Sequence, residues 1–311
     1  MDLVLAIVAP GQGAQTPGFL APWLELPAVA SRLEWLSTVS GLDLVELGTK
    51  GDAEQIKDTA VAQPLLVAAG LAVLGELLPS GGTAGVGVLA GHSVGELTAA
   101  AAAGVLSAEQ AMVLVRERGR AMASASAITP TGMTAVLGGD RDAVLAKLAQ
   151  HGLTPANDNG AGQLVAAGTL AQLAALAEDP PEKARLIPLS VAGAFHTSHM
   201  SPAVNHLGDL SGSITPGDPT TRLLSNADGA VVSTGAEFLT RLVTQVSNPV
   251  RWDLCMATMM DLGVTGLIEL LPGGTLTGLA KRGMRGVTGV AVKTPDDLDA
   301  ARALLREGAP S

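Results

Sequence analysis

The stretch VLAGHSVGELTAAA, residues 88–101, decides how this chain folds. Its apolar start has the character of a buried strand, and its alanine-rich end that of a helix beginning directly afterwards. Gly91, His92, Ser93, Val94 and Gly95 lie between the two. Glycines two residues before and after a serine suit a sharp strand-to-helix turn, because a side chain at either place would collide with neighbouring backbone. Such a turn holds the Ser93 hydroxyl at the carboxyl edge of a sheet, with N–H groups of the new helix pointing at whatever the serine attacks. Ser93 is a candidate nucleophile; the plainer alternative makes it a cap in a Gly/Ser-rich loop.

Outward from this turn, apolar runs at 2–8, 84–90, 264–270 and 286–292 predict strands. Helical patterns fall near 25–38, 60–78, 107–125, 234–246, 251–262 and 295–306. The alternation predicts an α/β fold with a large α/β-hydrolase-like core and a mainly parallel sheet. Ser107 with Gln110 forms a capping box, and Thr294, Pro295 and Asp297 mark another helix start. Between about 126 and 190 the pattern changes. GMTAVLGG, DRDAVLAKLAQHG, LTPANDNGAGQLVAAG, TLAQLAALAED and ARLIPLS predict the order β-α-β-β-α-β, that of a ferredoxin-like unit. The expected division is a core of 1–125 and 191–311 with a small subdomain of 126–190 inserted, and the cleft between them is the natural place for a ligand.

Composition narrows the chemistry. No uninterrupted apolar segment approaches the roughly 20 residues that cross a bilayer, so a soluble, cytoplasmic protein without membrane contact is expected. The N-terminal MDLVLAIVAPGQG lacks a basic region and is read as a first core strand, not as a signal peptide. Cys255 is the sole cysteine and is read as a buried structural thiol. A net charge of −10, with three Phe, three Trp and no Tyr, offers neither a basic stripe nor stacking platforms for nucleic acid. No zinc spacing, H-E-x-x-H or Walker sequence occurs, so chemistry built from side chains without a cofactor is expected. GQGAQT fails as a dinucleotide fingerprint because the third glycine position holds Thr16.

A serine nucleophile needs a base, and the chain has five histidines. His92 adjoins Ser93 and cannot easily turn back onto its hydroxyl, His151 suits a helix C-terminus, and His206 lies on an amphipathic surface pattern. His196 and His199, in GAFHTSHM, follow a strand where the chain should re-enter the core. A hydrolase triad orders Ser, acid, His. The acids Asp140, Asp142, Asp158, Glu178 and Asp179 all fall in the expected insertion, so an ordinary triad fits poorly and something else must hold the imidazole.

PGQGAQTPGF, GHSVGELTAA, VRERGRAM, GAFHTSHM, NPVRWD and PGGTLTGLAKR occur in this order along the chain. The series resembles the malonyl-CoA:acyl carrier protein transacylases, the acyltransferase family of fatty-acid and polyketide synthesis, from about residue 5 to 300. The resemblance implies Ser93 as nucleophile and His196 as general base, its ring oriented by the main-chain carbonyl of Gln245. It implies an oxyanion hole from the backbone N–H groups of Gln12 and Val94, and Arg118 as the grip on the malonyl carboxylate. A planar guanidinium suits that task, since it pairs bidentately with a carboxylate. Gln63 and Asn157 match further polar positions near the site. Val94 and Phe195 match positions near the acyl group and favour malonyl over methylmalonyl, although Gly193 stands where the family commonly has a histidine.

The implied reaction is ping-pong transfer of malonyl from malonyl-CoA, through a malonyl-serine ester, to the thiol of holo acyl carrier protein. Lys281, Arg282 and Arg285 cluster near a motif end and are expected to help dock that acidic partner. A monomer is expected because no unmatched apolar helix face stands out. The competing readings are a serine hydrolase or thioesterase using the same turn, which would release free malonate, and a carrier-binding module with a vestigial site.

Overall fold

The computed structural model describes residues 4–79 and 81–308. The strands are β1 (Val4–Ala9), β2 (Val88–Gly91), β3 (Thr131–Gly138), β4 (Thr154–Asp158), β5 (Gln163–Thr169), β6 (Ala184–Pro188), β7 (Arg222–Leu224), β8 (Val231–Val232), β9 (Val250–Arg251), β10 (Val264–Glu269) and β11 (Thr288–Ala291). The helices are α1 (Pro27–Ser40), α2 (Leu44–Lys50), α3 (Ala53–Lys57), α4 (Thr59–Leu77), α5 (Gly95–Ala102), α6 (Ala108–Ser126), α7 (Arg141–Gln150), α8 (Leu170–Glu178), α9 (Ser201–Ser211), α10 (Gly235–Thr244), α11 (Trp252–Asp261), α12 (Thr275–Gly283) and α13 (Leu298–Gly308). The strand expected at 2–8 is β1, residues 2 and 3 lying outside the described part.

β1 lies inside a six-stranded sheet ordered β11-β10-β1-β2-β7-β8. Neighbours run parallel from β11 to β7, and only β8 pairs antiparallel, at the edge. Leu5, Ile7 and Ala9 enter one apolar core while Ala6 and Val8 enter another on the opposite face. A strand covered on both faces needs an apolar residue at every position, which is why its sequence is an unbroken run and not an alternation. The second core holds Trp252 and Met256 of α11 with Leu276 and Leu279 of α12.

α4 is the exception to the expectation that no segment could cross a bilayer. It has 19 residues and a mean hydropathy of 1.7, so length and composition would allow a span, with Gln63 and Glu76 as its only strongly polar members. It is instead a core helix, buried over most of its length and packed among α1, α5 and α6. An apolar surface all round is what such a position requires.

The smaller sheet is ordered β6-β3-β5-β4-β9. Its first four strands are antiparallel, with α7 and α8 supplying the crossovers. β5 alternates: Leu164 and Ala166 face a small separate core with Val144, Leu148 and Leu176, while Val165 and Ala167 join the main core. The fifth strand, β9, comes from far along the chain and lies parallel to β4, Val250 opposite Asn157 and Arg251 opposite Asp158. The two sheets are stitched together at that point. The capping boxes at Ser107/Gln110 and Thr294/Asp297 are both formed. Strands of two or three residues, such as β7, β8 and β9, carry no readable period and were not expected.

Candidate active site

The turn between β2 and α5 is as sharp as its glycines imply. A Cβ on Gly91 would strike the backbone of Gly95, and one on Gly95 would strike the Ala9 carbonyl. Ser93 itself is held at a positive φ of 53°, a conformation that costs a non-glycine residue about 1–3 kcal/mol and persists only where surrounding structure enforces it. Asn226, just beyond β7, does the enforcing. Its side-chain oxygen accepts from the Ser93 amide at 2.8 Å, and its amide nitrogen donates to the Gly91 carbonyl at 2.8 Å.

His196 meets this turn from the loop following β6, also at a positive φ, of 60°. Its Nε2 lies 2.7 Å from Ser93 Oγ, and its Nδ1 lies 2.8 Å from the carbonyl oxygen of Gln245. A carbonyl can only accept, so Nδ1 carries the proton and Nε2 is left to accept from the serine hydroxyl. Burial, and then the charge of Arg118, push the imidazole down to about 3. The ring is therefore neutral at ordinary pH and ready to take a proton.

Arg118, on α6, is buried with 3% of its surface exposed. One terminal nitrogen donates to Gln63 Oε1 at 2.6 Å; the other donates to Gln245 Oε1 at 2.9 Å and to Ser93 Oγ at 3.3 Å. Burial lowers its pKa to about 10, partly offset by the Glu96 carboxylate, so it keeps its charge. A solvated surface arginine on this helix is excluded by that burial.

Ser93 stands between two spaces. An open cleft is lined by Gln12, Ser93, Asn157, Phe195 and His196 together with Leu276 and Leu279 of α12. A much smaller, nearly closed pocket has Arg118 at one side and Leu97, Leu114, Leu207, Leu242 and Val243 around the rest. Among the described residues neither the Gln12 nor the Val94 amide donates to a protein acceptor. The Gln12 side chain reaches away, to the Lys57 carbonyl at 3.3 Å.

The other candidates are dispersed. His92 Nε2 donates to Asn159 Oδ1 at 2.9 Å and the ring packs edge-on against Trp252, so it braces the turn against the small sheet. His151 caps α7, His206 pairs with Glu117 on the surface, and His199 sits in a short 3-10 turn at Ser198–Met200. Asp158 is taken up by Arg141 and Asp179 by Lys147, and the imidazole Nδ1 is held by the Gln245 carbonyl in place of a triad acid. Cys255 is buried and its thiol is pushed far up by desolvation. Gly193 is confined by α6, because a Cβ there would strike Ser126 Oγ.

Two residues at the site escaped the sequence reading. Asn226 lies in a loop without any pattern. Glu96 directly follows the turn and passes for an ordinary acid in the first turn of a helix. Its carboxylate is buried, with 1% exposed, and bonds both the Asn226 amide and the Gln245 side chain.

The chain matches the family described as acyl transferase domain over residues 7–295. It is 52% identical to the malonyl CoA-acyl carrier protein transacylase of Mycobacterium tuberculosis over 297 residues, covering 95% of this chain and 98% of that protein. The corresponding protein of Haemophilus influenzae is 35% identical over 315 residues, covering 96% and 98%. The crystal structure of MCAT from Mycobacterium tuberculosis superposes with a TM-score of 0.93 over 96% of this chain and 99% of that one, at 52% identity. A malonyl-transacylase solved in complex with its type II PKS acyl-carrier protein superposes with a TM-score of 0.89 at 32% identity, over 96% and 99%.

Proposed function

The chain belongs to the acyl transferase family, and from that premise we propose that it transfers malonyl from malonyl-CoA to the phosphopantetheine thiol of holo acyl carrier protein. The observation that carries the reading is the joint placement of Ser93 Oγ within hydrogen-bond reach of a neutral His196 and of the buried Arg118. His196 Nε2 takes the serine proton as Oγ attacks the thioester carbonyl. The N–H groups of Gln12 and Val94 face the oxyanion that develops, an interaction of the kind worth about 10²–10³ in rate. The tetrahedral intermediate collapses, His196 returns the proton to the coenzyme A sulfur, and a malonyl-serine ester remains. In the second half the carrier thiol gives its proton to His196 as its sulfur attacks the ester carbonyl, and His196 returns that proton to Ser93 Oγ as the serine leaves. Arg118 holds the free carboxylate throughout, with Gln63 fixing the guanidinium.

The order β6-β3-β5-β4 supports reading residues 126–190 as a ferredoxin-like subdomain inserted into an α/β-hydrolase-like core of 1–125 and 191–311. Phe195, on the cleft lining, and Val94, next to Ser93, lie near the acyl group and favour malonyl over its methyl-branched analogue, while Asn157 is a further polar group on the same lining. Lys281, Arg282 and Arg285 are exposed, and Arg282 reaches Gln163 on the cleft rim at 3.3 Å, which supports a carrier-docking role. The enzyme acts as a cytoplasmic monomer in fatty-acid synthesis and, with a suitable carrier, in polyketide synthesis.

Intact-mass analysis after brief exposure to malonyl-CoA tests the proposal. A malonyl adduct is expected on the wild type and not on Ser93→Ala, and it should move to added holo acyl carrier protein. An adduct lost to buffer alone would make the protein a hydrolase; absence of an adduct on the wild type would refute the reading.

A further inference from the structure

Gln245 joins the two arms of the site. Its backbone oxygen takes the His196 proton, and its side-chain Oε1 takes an Arg118 N–H. A side-chain amide has one accepting end and one donating end, and an isolated glutamine can present either. Here the donating Nε2 is held by Glu96 Oε2 and by the Ser93 carbonyl at 3.1 Å. The accepting end must then face the guanidinium. The other carboxylate oxygen of Glu96 accepts the Asn226 amide, so both oxygens are occupied by N–H donors.

We propose that Glu96 is a positioning residue for acyl selectivity, its carboxylate fixing the Gln245 amide so that Arg118 is held at Ser93 for a carboxylate-bearing acyl group. A carboxyl that has gained a proton, or a carboxamide in its place, offers a donor where an acceptor stood. The Gln245 amide then turns over, its NH₂ faces the guanidinium, and Arg118 loses its seat.

Burial pushes the Glu96 carboxyl up to about 8, against the Asn226 amide, Arg118, the Gln245 amide and Arg241, which pull it down. The groups facing it are Arg118 from α6, Arg241 from α10 and the Cys255 thiol from α11, and α5 itself carries no other titratable side chain. Arg241 is already paired with Asp228 and Glu237. A third, open cavity, lined by Glu96, Arg241, Gln245, Asn248 and Arg251, shares no lining residue with the substrate cleft and brings solvent close to this carboxyl.

This inference rests on the malonyl-transfer reading, and its test separates the two. Transfer to holo acyl carrier protein is measured for malonyl-CoA and for acetyl-CoA, the same thioester without the carboxylate, in wild type and Glu96→Gln. Malonyl kcat/KM is expected to fall at least tenfold more than acetyl kcat/KM, with a raised KM for malonyl-CoA. In the wild type the malonyl-to-acetyl ratio is expected to drop as pH is lowered from about 9 to about 6.5, a measurement that stands even if the variant does not fold. Equal loss of both activities, or a ratio independent of pH in the wild type, overturns the inference while leaving malonyl transfer intact. A wild type that prefers no malonyl at all overturns the function reading and this inference with it.

Discussion

His196 shows how one residue's surroundings set its chemistry. A histidine in water is half protonated near 6.5, but burial and the neighbouring Arg118 hold this one near 3. Between those values the unfolded chain binds a proton that the folded chain refuses. The neutral ring thus contributes stability that is complete above about 6.5 and lost as pH falls towards 3. Two outcomes follow for measurement. Single-turnover acylation by malonyl-CoA should show no limb at the ordinary histidine value, and the Tm of His196→Ala relative to wild type should rise as pH is lowered through that window. Glu96 has the opposite sign: its folded pKa is raised, so its contribution is complete below the ordinary carboxyl range and fades as pH rises towards 8. A limb at 6.5 in acylation would mean that the imidazole is solvated during turnover.

At the level of elements, the cleft depends on how α12 begins. No side chain next to it in sequence caps its N-terminus. Glu269, the last residue of β10, does so from the end of the preceding strand, its carboxylate accepting the amides of Gly274, Leu276 and Thr277 and the Thr277 hydroxyl at 2.7–2.9 Å. The cap is fully buried and the negative charge faces the positive end of the helix dipole. Glu269→Ala would strand these donors, and a loss of about 2–4 kcal/mol is expected in urea unfolding. Because Leu276 and Leu279 line the cleft, KM for malonyl-CoA should rise as well. A loss of stability under 1 kcal/mol, roughly the worth of one exposed cap, would show that solvent replaces the carboxylate. α6 was legible because Ser107 and Gln110 stand at the usual cap positions of its first turn, whereas α12 is capped by Glu269 from the end of the preceding strand, outside any capping-box pattern.

At the scale of the whole molecule, charge governs the encounter with a carrier. The chain carries a net −10, so an acidic partner meets general repulsion and needs a local positive face. Reversing Lys281, Arg282 and Arg285 to glutamate is expected to raise KM for holo acyl carrier protein about tenfold at low salt, far more than KM for malonyl-CoA, with the difference shrinking as salt rises. Equal effects on both substrates would place the docking face elsewhere.

Much of this architecture is local and therefore legible along the chain. The turn at Gly91–Gly95, the both-faces-apolar β1, the two capping boxes and the β-α-β-β-α-β order each depend on residues within a few positions of one another, so composition and period suffice to find them. Ser93 follows from that turn, and the motif series pointed to His196, Arg118 and the carbonyl of Gln245. What no local pattern holds is the joining of segments distant in sequence. Asn226 on Ser93, Glu96 on Gln245 and β9 on β4 are contacts across long separations, between residues whose own neighbourhoods are unremarkable. Their roles come from burial, which strips away water and makes each polar group depend on one partner that only the folded chain supplies.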